Sequence, residues 1–360
     1  MLPLLTISII ILGTYDFLFF ATLQSEPLVH EPQSWPQVSI LTCVKDNEEG
    51  LRRLAARLAT QSYGAEVQWV VVDDGDSLGP NFDPRLPYNF TLTIVVLKDK
   101  ELPGKKGAVL AGWEQVQHDL ILSIDADCVP RTNQWIRELI RPLTGGTPAV
   151  LGYGDYEKRP GLLSDLIQTE TAQTAMLYLS SARRAKPYMA VGRNWAYRRW
   201  STMADDLRAD ADVLSGDDDL LLQRRNLSDV SLRWRIQSHS VSIAPETRAE
   251  WLRQKMRHAE TGRRYDPRSL IYLALFHGAQ VSFWIGLLGG CFYSPYVLLS
   301  LMLSLAYAIM STLLRYPFYK AIGKTSLLWK RWYLTPILLG FMFLWGLGSL
   351  RPRKNWNAPT

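Results

Sequence analysis

The chain has 360 residues, 47% hydrophobic and 21% charged, with 40 Lys+Arg against 34 Asp+Glu, a balance that excludes a wholly disordered polymer. Three cysteines and no Cys-x-x-Cys pair give no support to a disulfide framework or a cysteine zinc site. Residues 267–360 hold nine basic and no acidic residues, leaving a net of −3 before them, so the basic surplus coincides with the longest apolar runs and points to a membrane with basic loops, not to nucleic acid.

In chain order, Leu2 to Leu23 is an apolar run with one charge, Asp16, long enough for the roughly 20 residues a spanning helix needs. No Lys or Arg precedes Lys45 and the small-x-small site near Ala21 is poor, so we read residues 1–23 as an uncleaved transmembrane anchor and not a signal peptide. Asp16 is costly in lipid and is expected to face another helix or the interface. Residues 24–37 form a linker.

Residues 38–265 have the size of one domain. Val38 to Val44, Val67 to Asp73, Leu92 to Leu97 and Leu120 to Ile124 read as buried strands. Helical stretches at Glu48 to Thr60 and Lys105 to Val116 lie between them. Strand and helix in alternation predict an open α/β sheet that gathers its ligands at the carboxyl ends of its strands. The acidic clusters fall there: Asp73-Asp74-Gly75-Asp76 after one strand and Asp125-Ala126-Asp127 after another. Asp125 and Asp127 offer hard oxygen ligands suited to Mg2+ or Mn2+ on a diphosphate, although each cluster alone also suits a strand-end turn. Asp217-Asp218-Asp219 precedes the apolar Leu220-Leu221-Leu222; capping explains one or two of these acids but not three, and one is a candidate general base. The stretch Glu250 to Tyr265 is basic and aromatic and fits two roles, lying on lipid headgroups or covering a diphosphate.

After Asp266 come three apolar runs, Leu270 to Leu288, Tyr296 to Leu314 and Tyr333 to Leu350. The first two read as a hairpin across a charge-free turn. The basic residues Arg315, Lys320, Lys324, Lys330 and Arg331 are taken as a cytosolic loop by the positive-inside rule, which also places the hydrophilic domain in the cytosol. The basic tail 351–360 conflicts with a plain crossing by the last run, so either that run is re-entrant or the tail lies outside.

Together these segments resemble the membrane-bound branch of the family 2 inverting glycosyltransferases of the GT-A fold. The resemblance rests on Val38 to Glu49, Val71 to Ser77, Gly104-Lys105-Lys106-Gly107, Asp125-Ala126-Asp127, Gly192 to Arg198 and Gly216-Asp217-Asp218-Asp219. The order and spacing of the six are more specific than any one alone. It implies an α/β nucleotide-diphospho-sugar transferase domain over 38–265, an N-terminal anchor and a C-terminal membrane domain over 266–350. Asp46 or Glu48, together with Asp74, would hold the nucleoside, and a lysine of the pair Lys105 and Lys106 would approach the diphosphate. Asp125 would face the diphosphate and the metal, with Asp127 as direct metal ligand. Asp218 aligns with the catalytic base, Asp217 with its acidic neighbour, and Asn194 and Trp195 with the acceptor side, where core packing explains them equally.

The family's Gln-x-x-Arg-Trp motif appears as Gln254-Lys255-Met256-Arg257-His258. Gln254 and Arg257 are then donor-side residues, while His258 in place of Trp argues against a long polymer product. His258 is either a metal or diphosphate contact or a surface substitution. The implied partners are a nucleotide sugar, taken as UDP-linked, and a lipid or lipid-linked saccharide acceptor. A nucleotidyltransferase on the same fold and a non-catalytic membrane scaffold are the alternatives.

Overall fold

The computed structural model describes residues 1–75, 78–79, 82–292 and 296–349. Asp76 and Ser77 of the acidic turn after the second strand, Tyr293, Ser294 and Pro295 of the expected hairpin turn, and the basic tail lie outside them. In chain order the helices and strands are α1 (Leu2–Leu18), β1 (Val38–Val44), α2 (Glu48–Leu58), β2 (Val67–Asp73), β3 (Phe90–Val96), α3 (Lys105–Glu114), β4 (Leu120–Ser123), β5 (Cys128–Pro130), α4 (Trp135–Thr144), β6 (Ala149–Gly152) and β7 (Gly154–Tyr156). They continue with α5 (Leu162–Arg183), β8 (Trp195–Arg198), α6 (Met203–Arg208), α7 (Asp219–Arg224), β9 (Val230–Arg233), β10 (Ser240–Ser242), α8 (Arg248–Gly262), α9 (Pro267–Phe292), α10 (Val297–Ala321) and α11 (Thr325–Gly348).

The chain forms two compact units, one of residues 26–159 and 185–246, the other of residues 1–25, 160–184 and 247–350. The single domain expected over 38–265 is therefore interrupted. The reason is that α5 and α8 carry buried faces that pack on the apolar helices.

The first unit is built on a seven-stranded sheet ordered β3-β2-β1-β4-β8-β6-β9. β3, β2, β1 and β4 are parallel, and β8 runs antiparallel between β4 and β6. A smaller sheet, β5-β10-β7, lies beside Asp127 in sequence. β2 is buried at every position, as a strand covered on both faces requires. On α2, Leu51, Leu54 and Leu58 form the buried stripe expected from their spacing. Its start is set by Asn47, whose side chain accepts from the Gly50 amide at 3.0 Å. The linker is tied down at Glu26, a buried carboxylate that accepts from the Trp234 and Arg235 amides.

In the other unit, three helical segments among the described residues are long and apolar enough to cross a membrane: Leu2–Leu23, α9 and α10. α1 packs on α9 so closely that a Cβ at Gly286 would lie 2.9 Å from the Leu5 backbone, and the Tyr15 hydroxyl donates to the Tyr272 carbonyl at 2.5 Å. Asp16 is fully buried and paired with Arg315 at 2.5 Å. The expected basic loop is largely helix, because α10 runs to Ala321 and α11 starts at Thr325. Three of its charges point into the bundle: Arg315 to Asp16, Lys324 to Gln168 at 2.7 Å and Arg331 to Ser311 at 2.9 Å. The positive-inside argument overcounted these residues, since they serve helix packing.

The last apolar run is one continuous helix through Pro336. α8 begins with a reciprocal capping box between Thr247 and Glu250. Its Trp251 is buried against the rings of Phe341 and Trp345 at 5.2 and 5.5 Å, and Lys255 pairs with Glu170 of α5.

Candidate active site

The acidic clusters converge at the carboxyl ends of β1, β2 and β4. β1 ends in Val44, and Asp46 follows with φ +52°, a left-handed conformation that Asp tolerates better than most residues. Glu48 opens α2 and accepts from the Gly79 amide at 3.0 Å; that bond and Arg52 hold its carboxyl below the usual range. Asp74 is buried and paired with Lys100 at 2.5 Å. These three acids cluster around the turn after β2.

Asp125 and Asp127 follow β4. A Cβ at Gly50 would come within 2.8 Å of the Ala126 carbonyl between them, so the first turn of α2 can rest on this loop only because residue 50 has no side chain. The ligating atoms of Asp125, Asp127 and Cys128 lie within 4.8 Å of one another. The surrounding protein, and then the nearby Asp125, push the Asp127 carboxyl above its ordinary value, although its surface stays open. A divalent cation between the two carboxylates would relieve both effects, so this oxygen pair fits Mg2+ or Mn2+. Cys128 does not fit a hard ion: burial, then Asp127, holds it as a thiol, in contact with Asp127 at 3.2 Å and Ser242 at 2.8 Å.

Lys105, at the start of α3, joins this pair to the third cluster. Its ammonium lies 2.6 Å from Asp125 and 3.1 Å from Asp217. Asp218 caps α7, accepting from the Asp219 amide at 2.8 Å and the Gly192 amide at 2.5 Å. A Cβ at Gly192 would lie 2.8 Å from the Asp218 carboxylate, so this contact also requires a glycine. Burial, and next the charge of Asp217, push the Asp218 carboxyl up to about 6, against the lowering by Lys105 and the two amides. A carboxylate with that value is poised as a general base near neutral pH.

Three expectations are corrected. Lys106 is buried and donates to the Asp210 and Val213 carbonyls at 2.8 and 2.7 Å; its ammonium props the loop before Asp217 and is not offered to a diphosphate. Asn194 is fully buried, with both amide hydrogens spent on the Tyr153 and Ser238 carbonyls and its oxygen accepting from Trp135 at 2.7 Å. Trp195 is buried in β8 against the Tyr197 ring at 4.3 Å. Asn194 is a packing residue, because its amide hydrogens and oxygen are spent within the fold, and the Trp195 ring is packed inside the sheet domain. Gln254, Arg257 and His258 belong to α8, in the helical unit.

Sequence reasoning missed Lys100 and Arg193 as site residues. Arg193 lies over the Tyr156 ring at 4.4 Å and donates to the Tyr156 hydroxyl and the Gly154 carbonyl, and its charge opposes the rise at Asp127. Its place beside Gly192 in the Gly192 to Arg198 segment was a hint in the sequence.

The fold is of the GT-A type. Residues 39–202, a little under half of the chain, match the family described as Glycosyl transferase family 2. An N-acetylglucosaminyltransferase of Bradyrhizobium elkanii is 30% identical over 104 residues, 26% of this chain and 53% of the relative, so the chain spans about half the length of the curated relative it matches. Among solved structures, the mannosyltransferase PcManGT from Pyrobaculum calidifontis, in complex with GDP-Man and Mn2+, is similar with a TM-score of 0.52 and 16% identity, over 95% of this chain and 99% of that one. TarS of S. aureus, residues 1–349 with UDP-GlcNAc, gives 0.41 and 14% over 83% and 92%.

Proposed function

We propose that the protein transfers a sugar from a nucleotide-sugar donor, UDP-linked in our reading, to a lipid or lipid-linked saccharide acceptor with inversion at the anomeric carbon. The observation that carries this reading is the linkage of the two halves of the site: Lys105 bridges Asp125, on the donor side, to Asp217, beside a carboxylate raised to about 6. An acceptor hydroxyl attacks the anomeric carbon while its proton passes to Asp218. The bond from that carbon to the diphosphate oxygen breaks, and the electron pair leaves with the nucleoside diphosphate. Asp46, Glu48 and Asp74 hold the nucleoside in this scheme, and Lys105 offers charge to the diphosphate. Asp127 and Asp125 would hold Mg2+ or Mn2+, which when bound supplies charge stabilisation to the leaving group. A neighbour solved with a nucleotide sugar and Mn2+ supports the donor class.

The three membrane-length helices support an acceptor delivered at the bilayer. We place the catalytic unit in the cytosol, supported by the basic residues Lys320 and Lys330 at the α10–α11 end. The donor side is tested by titrating nucleotide sugars onto the purified protein with and without Mn2+ or Mg2+. Binding should be metal-dependent and weakened about tenfold or more in Asp127→Asn; binding unaffected by metal and by the substitution would sink the donor site.

A further inference from the structure

The helical unit holds a charge cluster that the transfer reaction does not use. Asp16 in the last turn of α1, Arg315 in α10 and Arg331 in α11 are all buried. Arg315 takes the Asp16 carboxylate at 2.5 Å and lies over the Phe20 ring at 4.7 Å. Arg331 has only neutral company: it donates to the Ser311 hydroxyl at 2.9 Å and lies over the Trp332 ring at 4.2 Å. Its Nε has no hydrogen-bond partner, and among the described residues no carboxylate lies within ion-pair distance of it. Two guanidiniums, charged at any physiological pH, therefore share one carboxylate. A buried cation without a counter-charge is unfavourable unless an anion joins it.

The depth of the cluster says which anion. Arg315 precedes the end of α10 by six residues and Arg331 follows the start of α11 by six, which puts both about 9 Å from the α10–α11 turn along their helices. Asp16 lies two residues from the end of α1. For α1 and α10, which are long and apolar enough to span a bilayer, this is the level at which headgroup phosphates meet the hydrocarbon, and Ser311 of α10 holds Arg331 there. The surroundings, Phe20, Tyr307 and Trp332, are aromatic, and Phe283 packs on the last two. Such a site suits a phosphate attached to acyl or other apolar chains better than a soluble ion.

We propose that Arg331, backed by the Asp16–Arg315 pair, binds the phosphate of an anionic membrane lipid. The guanidinium fork matches a phosphate oxyanion geometrically and completes the charge balance of the cluster. This inference does not use the transfer reaction, and lipid binding can be read without a donor.

The experiment uses the full-length protein in neutral-detergent micelles and follows its thermal midpoint. Phosphatidylglycerol is added in one arm and inorganic phosphate at the same phosphate concentration in another. The wild type is stabilised by phosphatidylglycerol and not by inorganic phosphate. Arg331→Gln loses that response, its apparent affinity for phosphatidylglycerol falling about tenfold, while its midpoint in lipid-free micelles is equal to or above the wild type's because the unpaired charge is gone. Arg331→Lys folds with the charge kept and the fork lost, and responds more weakly than wild type. Lys320→Gln, exposed at the end of α10, keeps the full response. Undiminished stabilisation of Arg331→Gln or Arg331→Lys by phosphatidylglycerol, or equal stabilisation of the wild type by inorganic phosphate, would overturn the proposal.

Discussion

Asp218 is held by two backbone amides, yet burial and Asp217 leave it with an affinity for protons far above that of a free carboxylate. In the role of acceptor's base that we propose for it, it must be ionised. The transfer rate at saturating donor should therefore fall about tenfold per pH unit below about 6 and level off above it. Lys105→Met removes the cation that favours the ionised form, so the acid limb should move to higher pH; a limb that stays in place would detach Lys105 from Asp218. The stability sign is opposite. A carboxyl raised in the folded state stabilises the fold below its unfolded value, and that contribution is lost as pH rises through about 6.

Residues at this scale were unevenly legible. The gathering of Asp125, Asp127, Asp217 and Asp218 at a strand end and a helix start could be read, because runs of carboxylates mark such ends in the sequence. Lys105 and Lys106 could not be told apart, since adjacent positions on a helix start point about 100° apart and only the fold says which direction is inward. Asn194 misled for a related reason: a polar residue in a motif looks functional until its hydrogen-bond partners are known, and all of these lie far away in sequence.

Among the elements, β1, β2 and α2 follow from local pattern, because a strand buried on both faces is an unbroken apolar run and an amphipathic helix repeats its leucines. The end of α10 does not. Hydropathy drops at Arg315, but the helix continues because Asp16 of α1, 299 positions away, compensates that charge. The Asp16–Arg315 pair makes α1 a member of the helical bundle and not merely a tether. Asp16→Asn leaves Arg315 buried without its counter-charge and should cost about 3 kcal/mol, read as a lower thermal midpoint in neutral detergent. Asp16→Asn combined with Arg315→Gln should recover a large part of that loss. A single variant as stable as wild type would show that α1 contributes no charge to the bundle.

For the whole molecule, the overall charge of +6 conceals a net −3 in residues 1–266, where the acidic site lies, and nine basic residues beyond. Part of that basic excess is consumed inside the bundle by Arg315, Lys324 and Arg331. The sidedness argument therefore rests on fewer charges than the sequence suggests. The central claim is sugar transfer by Asp218 from a cytosolic donor. Its most direct measurement is incorporation of label from nucleotide sugars, which do not cross membranes, into lipid-extractable product by sealed inside-out vesicles carrying wild type or Asp218→Asn. The account predicts transfer by the wild type and at least a ~10³-fold loss in the variant; equal incorporation by both would contradict it.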